Sequence, residues 1–186
     1  MSERSTVMRA LHELGLGAWF GGSLMGAVGL NGAANSMGDR GQTRRISSAG
    51  WAKWAPVNAA ALGAYVVGGV GLLKANRARI KYQQGVAASS FWKSAVTGAA
   101  LAATAYSAVL GKRVAQATSE QTDESHQPHP GQAPDVAAIE RRLRVTQWAV
   151  PALTGALVVL NALQGEQQRG DQEIRGYLAQ NLWPLG

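Results

Sequence analysis

Residues 14–30 read LGLGAWFGGSLMGAVGL, without one ionisable side chain and with six glycines. In water, each glycine inside a helix costs about 1 kcal/mol relative to alanine, so six would cost roughly 6 kcal/mol. In lipid the helix is kept, because unfolding would expose backbone N–H and C=O groups to hydrocarbon. Glycine then lets a neighbouring helix approach closely. The stretch therefore indicates a helix that lies inside a membrane.

Three further stretches of the chain also lack charge. The four runs without Asp, Glu, Lys or Arg cover residues 14–38, 54–73, 94–111 and 145–165. A soluble amphipathic helix places charges on its outer face, whereas about 20 apolar residues cross the hydrocarbon layer. We therefore predict an all-α fold, a bundle of four transmembrane helices over residues 12–31, 54–73, 92–111 and 145–164. The alternative is a water-soluble Ala-rich bundle, which would leave four helices without a polar face.

The segment between the third and fourth predicted spans differs in composition from the spans. Residues 117–134 are polar and rich in proline, which predicts a long disordered loop. Asp135 follows, where it can cap a helix that carries Val136, Ile139 and Leu143 on one face and runs into the fourth span.

The tail, residues 166–186, is predicted to form a short C-terminal interfacial helix. Its apolar residues Ile174, Tyr177, Leu178 and Leu182 follow helical spacing, as in a helix that lies on the membrane surface. We expect the whole chain, residues 1–186, to form a single membrane domain.

Aromatic residues and prolines support the boundaries of the spans. Tryptophans open the second, third and fourth spans, where an interfacial belt is expected. Pro56 and Pro151 are predicted to lie in the first turns of their helices, where the missing N–H matters least. Arg4 and Arg9 before an apolar run are also compatible with a signal peptide, but Glu13 and the length of the run favour an uncleaved first helix.

The basic residues predict membrane partners rather than nucleic acid. The chain carries 18 Lys and Arg against 11 Asp and Glu. The clusters GQTRR (41–45) and RRLR (141–144) adjoin predicted spans, so anionic lipid headgroups are the expected partner. Lys and Arg divide equally between the two sides of the membrane. The short loop KANRARIKYQQ (74–84), which has no acid, favours a multi-pass protein of the cell membrane with both termini cytoplasmic.

Small residues recur at four-residue spacing in the spans, as in closely packed membrane helices. The predicted helix-packing residues are Gly22, Gly26, Ala60, Ala64, Gly68, Ala95, Ala99, Ala103 and Ser107. They lead us to expect a tight bundle that also packs against itself or against other membrane proteins.

A few polar and aromatic residues are candidates for ligand binding. They are His12, Trp19, Asn58, Tyr65 and Tyr106. Histidine at the mouth of a span could ligate haem or copper or relay protons, or it could pair with Glu13 at the level of the headgroups. A cavity lined by the other four could hold an apolar molecule. Asp123, Glu124, His126 and His129 could hold a metal loosely, but we interpret them as part of a polar linker. We expect no metal and no cofactor.

The sequence contains no motif for catalysis. It has no cysteine, phosphate loop, HExxH pair or GxSxG elbow. The charge-free runs argue against ion-coupled transport. We interpret the chain as a non-enzymatic integral membrane protein, a structural or accessory subunit of a membrane assembly or a homo-oligomer. The alternative is a binding protein or carrier for an apolar small molecule such as a lipid or quinone.

Four segments resemble a family of uncharacterised actinobacterial four-helix integral membrane proteins. They are AWFGGSLMGAVGLNGAA (18–34), WAKWAPVNAAALGAYVVGGVGL (51–72), VTGAALAATAYSAVLG (96–111) and QWAVPALTGALVVLNAL (147–163). The family has no assigned activity, so the resemblance implies a four-span topology and no chemistry.

A second resemblance involves the first predicted span alone. His12 followed by WFGG (19–22) is similar to the first helix of copper-resistance membrane proteins. Those proteins carry further metal-binding residues in later helices, and this sequence shows none.

Overall fold

The computed structural model describes residues 3–75, 86–120 and 135–182, and all its elements are helices. Helix α1 (Glu3–Met25) continues through a π-helical turn (Gly26–Leu30) into the short helix α2 (Asn31–Asn35). Three long helices follow: α3 (Arg40–Ala75), α4 (Val86–Glu120) and α5 (Val136–Leu182). The predicted all-α class is confirmed.

The four long helices form an antiparallel bundle. Helix α1 packs against α3 and α5, and α4 packs against the same two helices. The start of α1 meets the end of α3, where His12 contacts Tyr65, and Leu30 meets Gly50 near the start of α3. The buried core lies at the centre and consists of Leu16, Trp19, Tyr65, Ala100, Val150 and Leu157.

Three of the helices are long and apolar enough to cross a membrane. They lie within Arg40–Ala75, Phe91–Ala117 and Val136–Leu163, and only 17%, 11% and 22% of their most apolar windows are buried by the rest of the chain. Large apolar side chains such as Val67, Val109 and Val159 are exposed on their surfaces. Such a surface suits lipid and not water, so a membrane protein with three spanning helices is supported.

The first predicted span does not meet the same criteria of length and hydropathy. Arg9 and Glu13 lower the hydropathy of α1, and the apolar run continues past its end into the π-helical turn. The fourth span therefore stays a prediction.

The helices extend well beyond the predicted spans. Helix α3 begins at Arg40, so the connection before it consists of residues 36–39 only. The prediction that Pro56 and Pro151 lie in first turns is wrong, since both lie inside long helices. Because proline has no N–H, each leaves the carbonyl four residues earlier without its helical partner.

The loop and the tail differ from the prediction where the structure describes them. Residues 117–120 of the predicted loop belong to α4, and residues 121–134 lie outside the described residues. The separate interfacial helix is not formed within 166–182, since α5 continues unbroken to Leu182. No proline follows Pro151 before that point, so nothing removes a helical hydrogen bond. Contact of the tail with the membrane surface stays a prediction.

Aspartates cap two of the long helices. The backbone N–H of Ala138 donates to Asp135 Oδ1 over 3.1 Å, which confirms the predicted cap of α5. Asp39 Oδ1 accepts from the backbone N–H of Gly41 at 2.6 Å in the same way at α3. Before it, Gly38 has a φ of +75°, which lets the chain turn back directly after α2.

Candidate functional site: the His12 cluster

The structure brings together three of the five predicted ligand-binding residues. His12, Trp19 and Tyr65 meet at the centre of the bundle, where Thr97 and Thr104 of α4 join them. We call these five residues the His12 cluster. His12, Trp19 and Tyr65 are buried, Thr97 and Thr104 are half-buried, and Trp19 and Tyr65 belong to the core.

His12 is held against Tyr65 by two contacts. Its Nδ1 lies 2.9 Å from the backbone oxygen of Tyr65. Because a carbonyl oxygen only accepts, Nδ1 must carry the hydrogen, which leaves Nε2 of the neutral ring as the lone-pair nitrogen. The imidazole also stacks on the Tyr65 phenol, with ring centroids 4.2 Å apart and planes 19° from parallel. The two contacts together set the orientation of the imidazole.

Two glycines allow α1 and α3 to come this close. A Cβ atom on Gly68 would lie 2.5 Å from the backbone nitrogen of His12, and one on Gly15 would lie 2.5 Å from that of Tyr65. Real Cβ atoms do not approach backbone so closely. The backbones of the two helices therefore touch at one glycine from each.

Helix α4 closes the cluster with two threonines. The Tyr65 hydroxyl lies 3.0 Å from Thr97 Oγ1. Trp19 Nε1 donates to Thr104 Oγ1 over 3.1 Å, and the Thr104 hydroxyl donates in turn to the backbone oxygen of Ala100 at 2.8 Å. The indole of Trp19 also meets the Tyr65 ring edge to face, at 5.7 Å. The polar atoms of Trp19 and of the Tyr65 side chain are thus satisfied within the chain.

Polar pairs also link α1 and its continuation to α5. Asn161 Nδ2 donates to Glu13 Oε1 over 3.2 Å. Near the opposite end of the bundle, Asn31 Nδ2 donates to Gln147 Oε1 at 2.9 Å, and Trp51 Nε1 donates to Asn31 Oδ1 at 3.2 Å. Sequence reasoning missed the contacts of Asn31, because an amide after an apolar run gives no signal of its partner.

An ion pair stands beside the Asn31 contacts. Arg44 Nε donates to Glu140 Oε1 and so joins the starts of α3 and α5. Both side chains are partly exposed, and such pairs contribute little to stability.

The other two predicted ligand-binding residues lie elsewhere. Asn58 is half-buried and forms no hydrogen bond within the described residues. Tyr106 is exposed and lines a shallow groove between α4 and α5 with Arg141, Arg142, Val145 and Thr146. The expected cavity shared by Trp19, Tyr65, Asn58 and Tyr106 is therefore not formed, because Tyr106 faces away from the core.

The predicted glycine pair of the first span packs against tryptophan rings. A Cβ atom on Gly22 would overlap the ring of Trp54, and one on Gly26 the ring of Trp51. Both tryptophans lie on α3, three residues apart, and the two glycines lie four residues apart. Because the segments run antiparallel, Gly22 faces Trp54 and Gly26 faces Trp51.

The other predicted packing residues fall into three groups. Gly68 is buried, whereas Ala64, Ala103 and Ser107 are half-buried and Ala60, Ala95 and Ala99 are exposed. The buried alanines of α3 and α4 are Ala61 and Ala100, one position after predicted ones. The face of α4 that carries Ala95 and Ala99 therefore points away from the core.

The observed contacts of the cluster join neighbouring helices. In the described ranges, no group of three or more His, Asp or Glu side chains could hold a metal ion. The candidates Asp123, Glu124, His126 and His129 lie outside those ranges. The cluster offers hydrogen bonds and ring contacts that connect α1, α3 and α4.

No protein family, curated protein or solved structure matches the chain. The resemblance to actinobacterial four-helix membrane proteins stays a prediction.

Proposed function

We propose that the chain is a non-enzymatic integral membrane protein that associates with itself or with other membrane proteins, as a structural or accessory subunit of an assembly. The observation that carries this proposal is the exposed face of α4. Ala95, Gly98, Ala99 and Ala102 are all exposed there, at spacings of three and four residues that place them on one side of the helix.

Small residues on the outer face of a membrane helix allow a second helix to pack closely against it. A Cβ atom on Gly98 would meet nothing within 4 Å, so this face is open to a second helix. Since lipid tails are as apolar as leucine, membrane helices associate through close van der Waals contact at small residues. The α4 face provides such a surface outside the bundle.

The interior of the bundle supports a non-enzymatic role. Three of the candidate ligand-binding residues form their contacts within the bundle, His12 with Tyr65, Tyr65 with Thr97 and Trp19 with Thr104. The core residues Leu16, Trp19 and Leu157 are almost inaccessible. Substrates need accessible groups, and these groups serve packing instead.

We further propose that α1 and its continuation form a fourth span and that both termini are cytoplasmic. Residues 14–38 carry no charge, and α1 lies antiparallel to α3 along much of its length. Four spans would place both termini on the same side of the membrane. The acid-free basic loop 74–84 then lies in the cytoplasm, as the positive-inside rule favours.

The association is tested by enlarging the α4 face. Gly98→Leu with Ala102→Leu adds bulk to that face, and Ala162→Leu on the exposed surface of α5 is the control. We expect crosslinking and light scattering in mild detergent to show a complex for the native chain and the control, and its loss in the α4 variant. A native chain that is strictly monomeric and partner-free in those measurements would contradict the proposal.

The topology is tested by single cysteines, since the chain has none of its own. Thr6→Cys, Met37→Cys and Lys74→Cys place a thiol in the first turn of α1, after α2 and at the end of α3. In intact cells, an impermeant maleimide should label position 37 only. Labelling of positions 6 and 37 together, with 74 protected, would mean that α1 does not cross.

The second candidate function, a binding protein or carrier for an apolar molecule such as a lipid or quinone, is favoured by one observation. The groove at Tyr106 is lined mainly by apolar atoms and opens to the surroundings of the bundle. An open groove suits a lipid that stays in the bilayer better than enclosed cargo. Lipid or quinone retained in equal proportion to protein through purification would support this candidate.

A further inference from the structure

The groove between α4 and α5 combines an apolar floor with two cationic side chains. It is lined by Tyr106 of α4 and by Arg141, Arg142, Val145 and Thr146 of α5, with a volume of about 300 Å³. The Thr146 hydroxyl donates to the backbone oxygens of Arg142 and Leu143, at 3.2 and 3.0 Å. The Thr146 hydroxyl is thus used within its own helix, and the donors of the two arginines and of Tyr106 lie beside the apolar lining of the groove.

The two arginines carry charge that the described part of the chain does not neutralise. Both are exposed, and neither forms an ion pair with another described residue. The adjacent acid, Glu140, is paired with Arg44 on α3 instead. Because the groove is lined almost wholly by apolar atoms, the arginines contribute their aliphatic stems to it. Their exposed guanidinium groups, unpaired within the described residues, stand beside the groove, and their planar donors match phosphate oxygens.

The position of the arginines along α5 places them at the height of lipid headgroups. The charge-free run of α5 begins at Val145, four residues after Arg141. At 1.5 Å per residue, the guanidinium-bearing turn stands about 6 Å beyond the start of the apolar run. Headgroup phosphates lie at such a boundary between apolar core and water.

Below the arginines, the surface beside the groove is suited to an acyl chain. Val145 is 67% exposed, Trp148, one turn further along α5, is 53% exposed, and Tyr106 is 44% exposed. An apolar strip thus continues from the cationic end into the membrane-spanning part of α5.

We propose that this groove binds one anionic phospholipid, with Arg141 and Arg142 on its phosphate and an acyl chain along Val145 and Tyr106. Basic pockets between membrane helices recognise anionic headgroups in this way. The inference rests on α4 and α5 lying in a membrane, and it needs neither the association of α4 nor a fourth span. A zwitterionic lipid fits less well, because its cationic headgroup adds positive charge beside two arginines.

Native mass spectrometry of the full-length protein in detergent tests the proposal, with phosphatidylglycerol and phosphatidylcholine as the lipids. The groove variant is Arg141→Gln with Arg142→Gln. The matched control is Lys112→Gln with Arg113→Gln, which removes the same charge from exposed residues of α4 that do not line the groove.

We expect the native protein to bind one phosphatidylglycerol in preference to phosphatidylcholine. The groove variant should bind it about 25-fold more weakly, since each Lys or Arg near an anionic surface contributes about fivefold. The control should change affinity about twofold or less. Equal losses in the two double variants, or no preference of the native protein between the lipids, would overturn the site.

A second variant separates the groove from simple attraction of charge and also covers poor folding of the first. Val145→Trp fills the apolar floor and keeps both arginines. We expect it to lose the preference for one bound phosphatidylglycerol while its thermal stability without lipid stays native. Unchanged binding by this variant would contradict an acyl chain in the groove. Sedimentation of the variants with membranes, together with an intact α4-mediated complex, would show that the proposed function stands even if the lipid site fails.

Discussion

The imidazole of His12 lies flat on the phenol ring of Tyr65, and its Nδ1 bonds to the backbone oxygen of the same tyrosine at 2.9 Å. Two residues separated by 53 positions thus join the start of α1 to the end of α3. The tyrosine hydroxyl reaches α4 at Thr97. Tyr65 is therefore the residue through which three helices are held together, and its ring and hydroxyl can be tested separately.

Tyr65→Phe should cost only about 0.6 kcal/mol in the free energy of unfolding, the typical size of a hydrogen bond between membrane helices. Tyr65→Ala should cost roughly 3–5 kcal/mol, because it removes the stacked ring and leaves a cavity in the core. Equilibrium unfolding in mixed detergent measures both. Tyr106→Phe, on an exposed tyrosine, should leave stability unchanged. Equal costs for the two Tyr65 variants would contradict a dominant role of the ring.

Gly15→Ala and Gly68→Ala should each destabilise the bundle by about 2 kcal/mol or more, as expected for overpacking against a backbone that cannot yield. In each case the new Cβ atom would lie 2.5 Å from a backbone nitrogen of the opposite helix. The matched controls are Gly17→Ala and Gly63→Ala, which meet nothing within 4 Å. The controls should keep or slightly raise the thermal stability. A control as damaging as Gly15→Ala would show that the contact between α1 and α3 is not the cause.

Gly22 and Trp54 should be energetically coupled, since a Cβ atom on the glycine would overlap the indole ring. Gly22→Ala should destabilise the native chain by about 1–3 kcal/mol. The same change in a Trp54→Ala background should cost much less, because the ring is gone. A double-mutant cycle of unfolding free energies measures the difference. Gly21→Ala, where nothing lies within 4 Å, is the control, and additive effects of Gly22→Ala and Trp54→Ala would rule out the contact.

Asn31→Ala should destabilise the protein by about 1–3 kcal/mol, because it leaves the partly buried polar groups of Trp51 and Gln147 without their partner. Asn35→Ala provides the comparison, since Asn35 is exposed and forms no side-chain hydrogen bond within the described residues. Its melting temperature should stay native. If the two variants have the same melting temperature, the amide of Asn31 does not link α3 to α5.

Sequence patterns predicted best those features that depend on the residues of a single helix, such as its mean hydropathy or its cap. The charge-free runs at 54–73, 94–111 and 145–165 fall within the three helices that are apolar enough to cross a membrane. The cap at Asp135 was also predictable, because its acceptor and donor lie within three residues of each other. The packing of Gly22 on Trp54 and of Gly26 on Trp51 was not predictable, because each contact joins residues of two different helical segments.

The sequence by itself determined that the chain is helical and largely lipid-compatible. A run of about 20 residues without charge indicates a hydrocarbon environment, regardless of which helices pack beside it. Only the tertiary structure decided which groups pair. The partner of His12 is a backbone oxygen, which has no signature in the sequence, and the buried alanines of α3 and α4 are Ala61 and Ala100 rather than Ala60 and Ala99. Rotating a helix by one residue turns its face by about 100°, and that rotation depends on contacts between helices far apart along the chain.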